Sequence, residues 1–519
     1  MTVLDLDAPL QLTVAVLPEL VLMGGAMILL LWAVWRPESD RHQRAIGVAS
    51  IILCCVAVAA VLLFYGRFRA TAFGPIAVDG FRWMVDIVIL TGTIFAIALS
   101  MDDNSRDALT TAEGHVLLLM ASSGMMLLAA ARDLMVVFLA IELMSISVYA
   151  LAAINRRSAR GAEGALKYFL LGAFSTAFLL YGIALVYGAT GTTNITRIAA
   201  AVSQLALTQS PILLIGIALM LVGFGFKVAA APFHMWAPDV YDGAPSPVTA
   251  YMAATVKAAA FAAFFRVWIE AFPGSMLAWH GALQGLAIAT MVAGNAIGLA
   301  QRSLKRLLAY SSIGHAGYLM IAIAAGTAGG APAMLFYLFA YTLATFGAFA
   351  VVVAVAQPGR GGVMIDELAG LGRVRPWMAL AMAIMMLALL GFPVFGGAGF
   401  FAKWYLLEVA LGAPVPQYAL AIVLVATTVV SAGYYLHVVM VMFMKARPDG
   451  AVAIAPSPPV TRAVMLATAG AILILGIVPD RAVFFTYGGR TDPGVVSGAT
   501  ADRGTGAVGS RSNLAPLPR

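Results

Sequence analysis

Long apolar segments follow one another along almost the whole chain, separated by short polar stretches. About 14 of them have the roughly 20 apolar residues that a helix needs to cross a hydrocarbon core of about 30 Å. They are apolar on every side and lack the alternation of β-strands, and in lipid the backbone groups have to be bonded within their own segment. The pattern therefore predicts an all-α polytopic membrane protein with crossings near residues 10–35, 45–65, 80–101, 114–131, 133–154, 162–188, 210–231, 247–271, 277–300, 304–326, 331–356, 377–398, 415–444 and 462–479.

Proline and glycine interrupt this pattern at two places. Residues 232–239 read PFHMWAPD directly after the seventh segment, and residues 391–399 read GFPVFGGAG within an apolar stretch from about 377 to 411. Proline removes a backbone donor, so both places predict broken helices at membrane depth, which are tolerated only against protein or a wet cavity. Paired breaks in two halves are typical of transporter cores. After about residue 488 the chain is rich in Gly, Ser, Pro and Arg, which predicts a disordered tail.

Composition supports a membrane location and excludes other classes. Only 11% of the 519 residues are charged and 62% are hydrophobic, which excludes a soluble enzyme. The net charge of +7 fits positive-inside topology better than nucleic-acid binding. With the N-terminus outside, sixteen Lys and Arg fall in inner loops and five fall in outer loops, namely Arg67, Arg69, Arg82, Arg132 and Arg197. An even number of crossings then predicts both termini on the outer side.

Several ionisable residues lie inside apolar segments, and they carry the functional reasoning. Glu142 lies about 15 Å from the end of its segment, near the membrane midplane. The other members of this group are Lys167, Lys227, Lys257 and Lys403. Each charge at a helix centre costs about 2.5–3.5 kcal/mol, so these groups must be paired, neutralised or solvated. Snorkelling to the interface remains an alternative, above all for Lys167, and a structural ion pair remains one for Glu142.

Buried lysines and a glutamate suit proton transfer. Burial makes a lysine lose its proton readily, and a nearby carboxylate restores it. A charged lysine has no acceptor and repels Na⁺, so protons are the better candidate ion. His234 and His315 are possible relays, although purely structural roles remain open for both. The sequence has no HExxH, phosphate-loop or dinucleotide motif, and two cysteines are too few for an iron–sulfur cluster, so we expect no metal and no cofactor in this chain.

Four long motifs resemble the antiporter-like membrane subunits of respiratory complex I. They are the segment 231–252 with PDVYDGAPSPVTAYM and the following KAAAF, RDLMVVFLAIELMSISVYAL at 132–151, QRSLKRLLAYSSIGHAGYLM at 301–320 and GGAGFFAKWYLLEVAL at 396–411. The resemblance implies fourteen helices with two inverted five-helix repeats, each with a broken helix. It divides the chain into N-terminal helices 1–3 (1–110), a first repeat (111–272), a second repeat (273–446), a last helix (447–487) and the tail (488–519).

The resemblance also implies roles for the buried residues. Glu142 and Lys227 match the family's Glu–Lys pair, and Lys257 matches the central lysine between half-channels. Lys403 matches the terminal ionisable residue of the second repeat, and Lys167 matches a further lysine beside the pair. The implied function is proton translocation along this axis, coupled to quinone reduction elsewhere in an NADH:quinone oxidoreductase.

In that reading this chain is a subunit of the enzyme complex without redox catalysis of its own. NADH, FMN, iron–sulfur clusters and quinone belong to the whole complex. The expected partners are other complex I subunits, especially neighbouring antiporter-like and small membrane subunits, and the lipid bilayer, with no nucleic acid. The location is the bacterial inner membrane, multi-pass, with both termini periplasmic. The alternative is a subunit of a multisubunit cation/proton antiporter; residues 239–252 favour complex I.

Overall fold

The structure is a computed structural model that describes residues 7–36, 39–64, 74–106, 112–327, 329–357, 362–394, 397–448 and 454–479. Its α-helices are α1 Asp7–Ala15, α2 Leu17–Trp35, α3 Asp40–Phe64, α4 Gly80–Arg106, α5 Glu113–Ala130, α6 Leu134–Ala152, α7 Ala159–Thr190, α8 Ile195–Gln204, α9 Pro211–Lys227, α10 Ala237–Gly243, α11 Ser246–Tyr251, α12 Lys257–Ala271, α13 Met276–Gly298, α14 Leu304–Ala324, α15 Gly330–Val355, α16 Leu371–Val374, α17 Pro376–Leu390, α18 Gly397–Leu411, α19 Tyr418–Met444 and α20 Pro459–Ile477. The expected disordered tail lies outside the described residues.

The predicted membrane crossings are present as helices. Within the described ranges, twelve continuous helices are long and apolar enough to cross a membrane, and α11 and α12 form one of them, joined by a π-helical turn at Met252–Val256. Two shorter apolar helices, α9 and α17, occupy the seventh and twelfth predicted segments. Twelve and two give the fourteen crossings. The described part of the chain forms no strands, only isolated bridges, so the all-α prediction is confirmed.

Three helices form the centre of the bundle. The crossing 246–271 is buried along its whole length, and α14 and α15 are buried almost entirely. The outer helices α2, α3, α7 and α19 expose large apolar side chains, as expected of surfaces that face lipid. Helix α13 packs closely on α14, because a Cβ on Gly294 would lie 2.3 Å from the Gly314 nitrogen. Glycine is therefore needed at this contact.

Both predicted breaks occur. Helix α9 ends at Lys227 and α10 begins at Ala237, while α17 ends at Leu390 and α18 begins at Gly397. Gly391 follows α17 with a φ of +82°, a left-handed conformation that glycine adopts without steric cost. The breaks lie where proline and glycine predict them.

Two matching connections join the ends of helices, one connection in each half of the chain. Asp133 bridges Asn194, and Ser303 bridges Met364. In the first, the Ile195 nitrogen donates to the Arg132 oxygen at 3.0 Å, and in the second the Ile365 nitrogen donates to the Arg302 oxygen at 2.9 Å. Both partners in the second connection lie 170 positions after those in the first (303 − 133 and 364 − 194). The same local structure therefore occurs twice at a constant displacement.

Candidate functional site

Lys227 lies at the end of α9, where the helix breaks, and its side chain points into the bundle. It is 5% exposed. Its Nζ donates to Ser145 Oγ at 2.7 Å and lies 5.7 Å from the centre of the Tyr149 ring. Ser145 follows Glu142 by one helical turn on α6, so Glu142 lies close to this lysine. The described residues contain no Glu142–Lys227 ion pair within 4 Å, and a hydroxyl binds the lysine instead.

The break after Lys227 has its own unusual backbone. Ala229 has a φ of +58°, which is rare for a residue with a side chain. His234 lies in this break and is partly buried. Its Nδ1 has no hydrogen-bond partner among the described residues. The structure thus places His234 beside the break but gives it no bond to Lys227.

Lys257 occupies the centre of the bundle, immediately after the π-helical turn of its crossing. Such turns often occur at functional positions. The lysine is 2% exposed. Its Nζ donates to the Ser312 carbonyl oxygen at 2.6 Å and also contacts Ser312 Oγ. Because Ser312 belongs to α14, Lys257 connects the two halves of the chain. No hydrogen bond among the described side chains joins it to Lys227.

His315 lies one turn after Ser312 on α14 and is hydrogen-bonded at both ring nitrogens. Tyr337 Oη lies 2.5 Å from Nδ1, and Tyr435 Oη lies 3.1 Å from Nε2. The hydroxyls of Tyr435 and Ser311 are also in contact. Imidazole and phenol groups can each donate and accept, so this cluster is able to pass a proton. It can equally fix the ring in place.

Lys403 lies beyond the second break, and the break supplies its acceptor. Its Nζ donates to the Leu390 carbonyl oxygen at 2.8 Å and to Thr428 Oγ1 at 3.3 Å. Leu390 is the last residue of α17, where the final carbonyls have no partner within the helix and attract a cation. The Nζ also lies 4.8 Å from the Tyr318 ring centre.

A small cavity joins His315 to Lys403. Both residues line it, together with Tyr337, Tyr341 and Gly399. Its volume is about 10 Å³. This is close to the smallest space that holds one water molecule. The structure therefore brings together Lys257, His315 and Lys403 as one group around α14, whereas Lys227 and Glu142 form a separate group.

Lys167 belongs to neither group. Although expected among the charges inside the apolar segments, its side chain is 44% exposed and forms ion pairs with Glu163 at 2.7 Å and Asp239 at 2.9 Å. It lines an open polar pocket of about 530 Å³ together with Arg160, Arg302 and others. Lys167 lies in the third turn of α7, so its long side chain reaches the polar end of the helix. Of the two alternatives that the sequence leaves open for this lysine, the structure shows snorkelling to the interface.

Buried arginines were missing from the sequence-based prediction. Arg82 and Arg132 were assigned to outer loops, and Arg266 was overlooked, yet the side chains of all three are at most 7% exposed. The available signal was spacing. Arg266 and Glu270 stand four residues apart on a helix, which places them on one face and allows a 3.0 Å ion pair.

The described residues contain no group of three or more His, Cys, Asp or Glu side chains that would hold a metal ion. The buried lysines donate to uncharged oxygens, which leaves their protons as the exchangeable species. The chemistry that this arrangement favours is proton binding and transfer.

Comparisons with known proteins agree with this description. Residues 131–431 match the family model described as NADH:quinone oxidoreductase/Mrp antiporter, TM. The NADH-quinone oxidoreductase subunit N of Gemmatimonas aurantiaca is 50% identical over 514 residues, covering 97% of this chain and 98% of that protein.

Solved structures show the same fold. A chain of respiratory complex I from Thermus thermophilus with bound aureothin matches with a TM-score of 0.77 at 38% identity, over 90% of this chain and 98% of that one. A chain of the Mrp complex from Dietzia sp. DQ12-45-1b matches with a TM-score of 0.79 over 93% and 99%, but at only 21% identity, which supports the fold alone. The fold does not separate the two groups, whereas the sequence does, and the chain belongs to the subunit N branch of the NADH:quinone oxidoreductase/Mrp antiporter family.

Proposed function

We propose that this chain is the proton-translocating membrane-arm subunit of an NADH:quinone oxidoreductase, and that protons pass along Glu142, Lys227, Lys257, His315 and Lys403. One observation carries the assignment. Lys227, Lys257 and Lys403 are each at most 6% exposed, and in the described part of the chain each donates to hydroxyl or carbonyl oxygens and to no carboxylate. A buried ammonium without a counter-ion loses its proton at low free-energy cost.

The contacts support one order of transfer. Quinone reduction elsewhere in the complex changes the electrostatics at one end of the axis and alters the attraction between Glu142 and Lys227. The proton then moves to Lys257, which already contacts the second half of the chain through Ser312. His315 and its tyrosines lie between Ser312 and the cavity of Lys403, so the proton leaves through the second half. Lys167 and the open polar pocket that it lines form the solvent-exposed entrance to the proton path on the side of the first half of the chain.

Two inverted five-helix repeats fit this scheme, with crossings four to eight in residues 111–272 and nine to thirteen in residues 273–446. The support is the pair of matching connections displaced by 170 positions. They begin the fifth and the tenth crossings, which run in opposite directions because the tenth comes five crossings after the fifth and each successive crossing reverses direction. Residues 1–110 and 447–487 then flank the repeats.

The redox cofactors belong to other subunits. The chain works with neighbouring membrane subunits in the bacterial inner membrane, and the distribution of loop charges supports a periplasmic location of both termini. In a chain lacking Cys54 and Cys55, a cysteine replacing Arg197 should react with an impermeant thiol reagent from the periplasm. A cysteine replacing Lys445 should react only from the cytoplasm.

The functional experiment measures NADH-driven proton uptake in vesicles that contain the assembled complex. Lys227→Ala and Glu142→Ala should each impair pumping and lower electron transfer with it, because the two processes are coupled. Lys445→Ala, at an exposed ion pair with Asp366, is the matched control and should pump normally. Full pumping in both Lys227→Ala and Glu142→Ala, with normal assembly, would refute the assigned roles.

The runner-up is a cation/proton antiporter subunit, which shares the fold. It predicts proton movement that depends on Na⁺ and not on NADH oxidation. Buried lysines disfavour sodium binding, because a charged ammonium offers no oxygen ligand and repels the cation. Pumping that continues in sodium-free medium supports the proposed function.

A further inference from the structure

Among the described residues, seven charged side chains form one buried network at the end of the bundle where α4 begins and α12 ends. They come from α2, the start of α4, the turn before α6 and the end of α12, and their side chains are at most 7% exposed. The members are the carboxylates Glu19, Asp79, Asp86 and Glu270 and the guanidiniums Arg82, Arg132 and Arg266.

Arg266 and Arg132 form the first half of the network. Arg266 donates from its two terminal nitrogens to Asp79 at 2.8 and 3.0 Å and also bonds Glu270 at 3.0 Å. Arg132 Nε lies 3.5 Å from the other oxygen of Glu270. Two cations and two carboxylates therefore balance here.

Arg82 forms the second half, where the charges do not balance. Its Nη2 bonds Glu19 at 2.6 Å, and its Nε lies 3.5 Å from Asp86. Its backbone nitrogen donates to Asp79 at 2.9 Å, which joins the two halves. Ser123 of the adjacent α5 donates to the main-chain oxygen of Glu19 and so does not bind a carboxylate. Within the described part of the chain, one guanidinium thus serves the two carboxylates of Glu19 and Asp86.

Asp86 is the carboxylate with the weakest stabilisation. It is fully buried, and neither of its oxygens has a hydrogen-bond partner among the described residues. The charged groups that act on it are Arg82, Glu19 and Asp79, of which two are carboxylates. A buried carboxylate without hydrogen bonds is unstable, and taking up a proton removes the charge.

We propose that this ion network is a proton-binding site, separate from the lysine axis, in which four carboxyl groups and three guanidiniums hold one proton with Asp86 as its resident position. The site ties the first and third crossings to α12. Arg266 stands nine residues after Lys257 on that helix, or about 13.5 Å along it. The site's occupancy does not depend on the proposed function and is tested without measuring pumping.

The experiment records infrared difference spectra of wild-type minus variant complex in the carboxylic-acid C=O region. Asp86→Asn should remove one neutral carboxylic-acid band, because the amide replaces the protonated acid with nearly the same shape. Asp366→Asn is the matched control and should remove none. The hydrogen bond from Lys445 lowers the pKa of Asp366, an exposed residue outside the membrane crossings, so this carboxyl is already ionised at neutral pH.

A second variant tests the charge balance and remains informative if Asp86→Asn does not assemble. Glu19→Gln keeps an acceptor for Arg82 but removes the surplus carboxylate, so Asp86 should ionise and the same band should vanish. The double variant should lose no more than either single one. A band that survives in Asp86→Asn, or in Glu19→Gln, overturns the proposal.

Discussion

Replacing Lys227 by methionine separates a structural role from a proton-carrying one. The change keeps an unbranched side chain of similar length and removes the ammonium. In the structure that ammonium has one hydrogen bond, to Ser145, and a distant contact with the Tyr149 ring. A charge-assisted hydrogen bond contributes about 1.5–3 kcal/mol. Placing the charge at membrane depth costs about 2.5–3.5 kcal/mol, so the two terms nearly cancel.

We therefore expect Lys227→Met to leave stability unchanged or to raise it by up to about 2 kcal/mol, in line with other buried charges replaced by apolar residues. NADH-driven proton uptake should be lost at the same time. Stability is measured as the midpoint temperature at which heat releases the subunit from the assembled complex, and uptake is measured in vesicles. A loss of more than about 2 kcal/mol would mean that Lys227 mainly holds the fold together.

Arginine at the same position provides the decisive control. It keeps the positive charge next to Glu142 but does not release its proton at any accessible pH. If Lys227 acts only through its charge, Lys227→Arg should restore pumping. If it carries the proton, the variant should assemble and remain inactive. Restored pumping in Lys227→Arg contradicts the transfer role.

Three further predictions follow from the same contacts. Gly399→Ala should prevent close packing at the second break and lower both assembly and pumping, since its Cβ would lie 1.7 Å from a main-chain oxygen; Gly470→Ala, where nothing lies within 4 Å, should be neutral in the same assembly assay. Tyr435→Phe removes a hydroxyl from the buried histidine cluster and should slow proton uptake severalfold while heat release stays within a few degrees of wild type, whereas unchanged uptake would assign the cluster to structure. The Asp366–Lys445 pair is formed above the ordinary pKa of the carboxyl and is lost as the pH falls through its depressed value; a thermal difference between wild type and Asp366→Asn that does not shrink as the pH is lowered into the acid range would contradict this.

The crossings and the two breaks were predictable from the sequence. In lipid the backbone groups have to be bonded within a helix, and proline and glycine interrupt that bonding at identifiable positions. The break at Gly391 shows the limit of that reasoning. Glycine and proline mark the position, but only the folded chain shows that the freed Leu390 carbonyl accepts from Lys403. A bond between residues thirteen positions apart depends on how α18 returns against α17.

The orientation of charged side chains was harder to predict. Lys167 and Lys257 both stand in apolar helices, yet the first reaches a polar pocket and the second is buried. A helix that is apolar on every side gives no signal for the direction in which one lysine points. The network around Arg266 was not predicted for a different reason. Its charged residues lie near the ends of helices, and charges at such positions are usually assigned to exposed loops.

The displacement of 170 positions also indicates how the two halves of the site differ. Ser145, the acceptor of Lys227, has its equivalent position at His315, which lines a cavity together with Lys403. In the proposed repeat, the first half therefore holds its lysine on a hydroxyl that cannot take up a proton near neutral pH, and the second places a titratable imidazole at the same position.

The same displacement carries Glu142 onto Ser312, the acceptor of Lys257. The first half thus has a carboxylate that can attract a proton, whereas the second has a neutral hydroxyl there. An inverted pair of identical halves would favour neither direction. In the second half a hydroxyl (Ser312) stands in place of the carboxylate, and an imidazole (His315) stands in place of the hydroxyl, which removes that symmetry. The first of these differences lies where Lys257 bonds the second half of the chain.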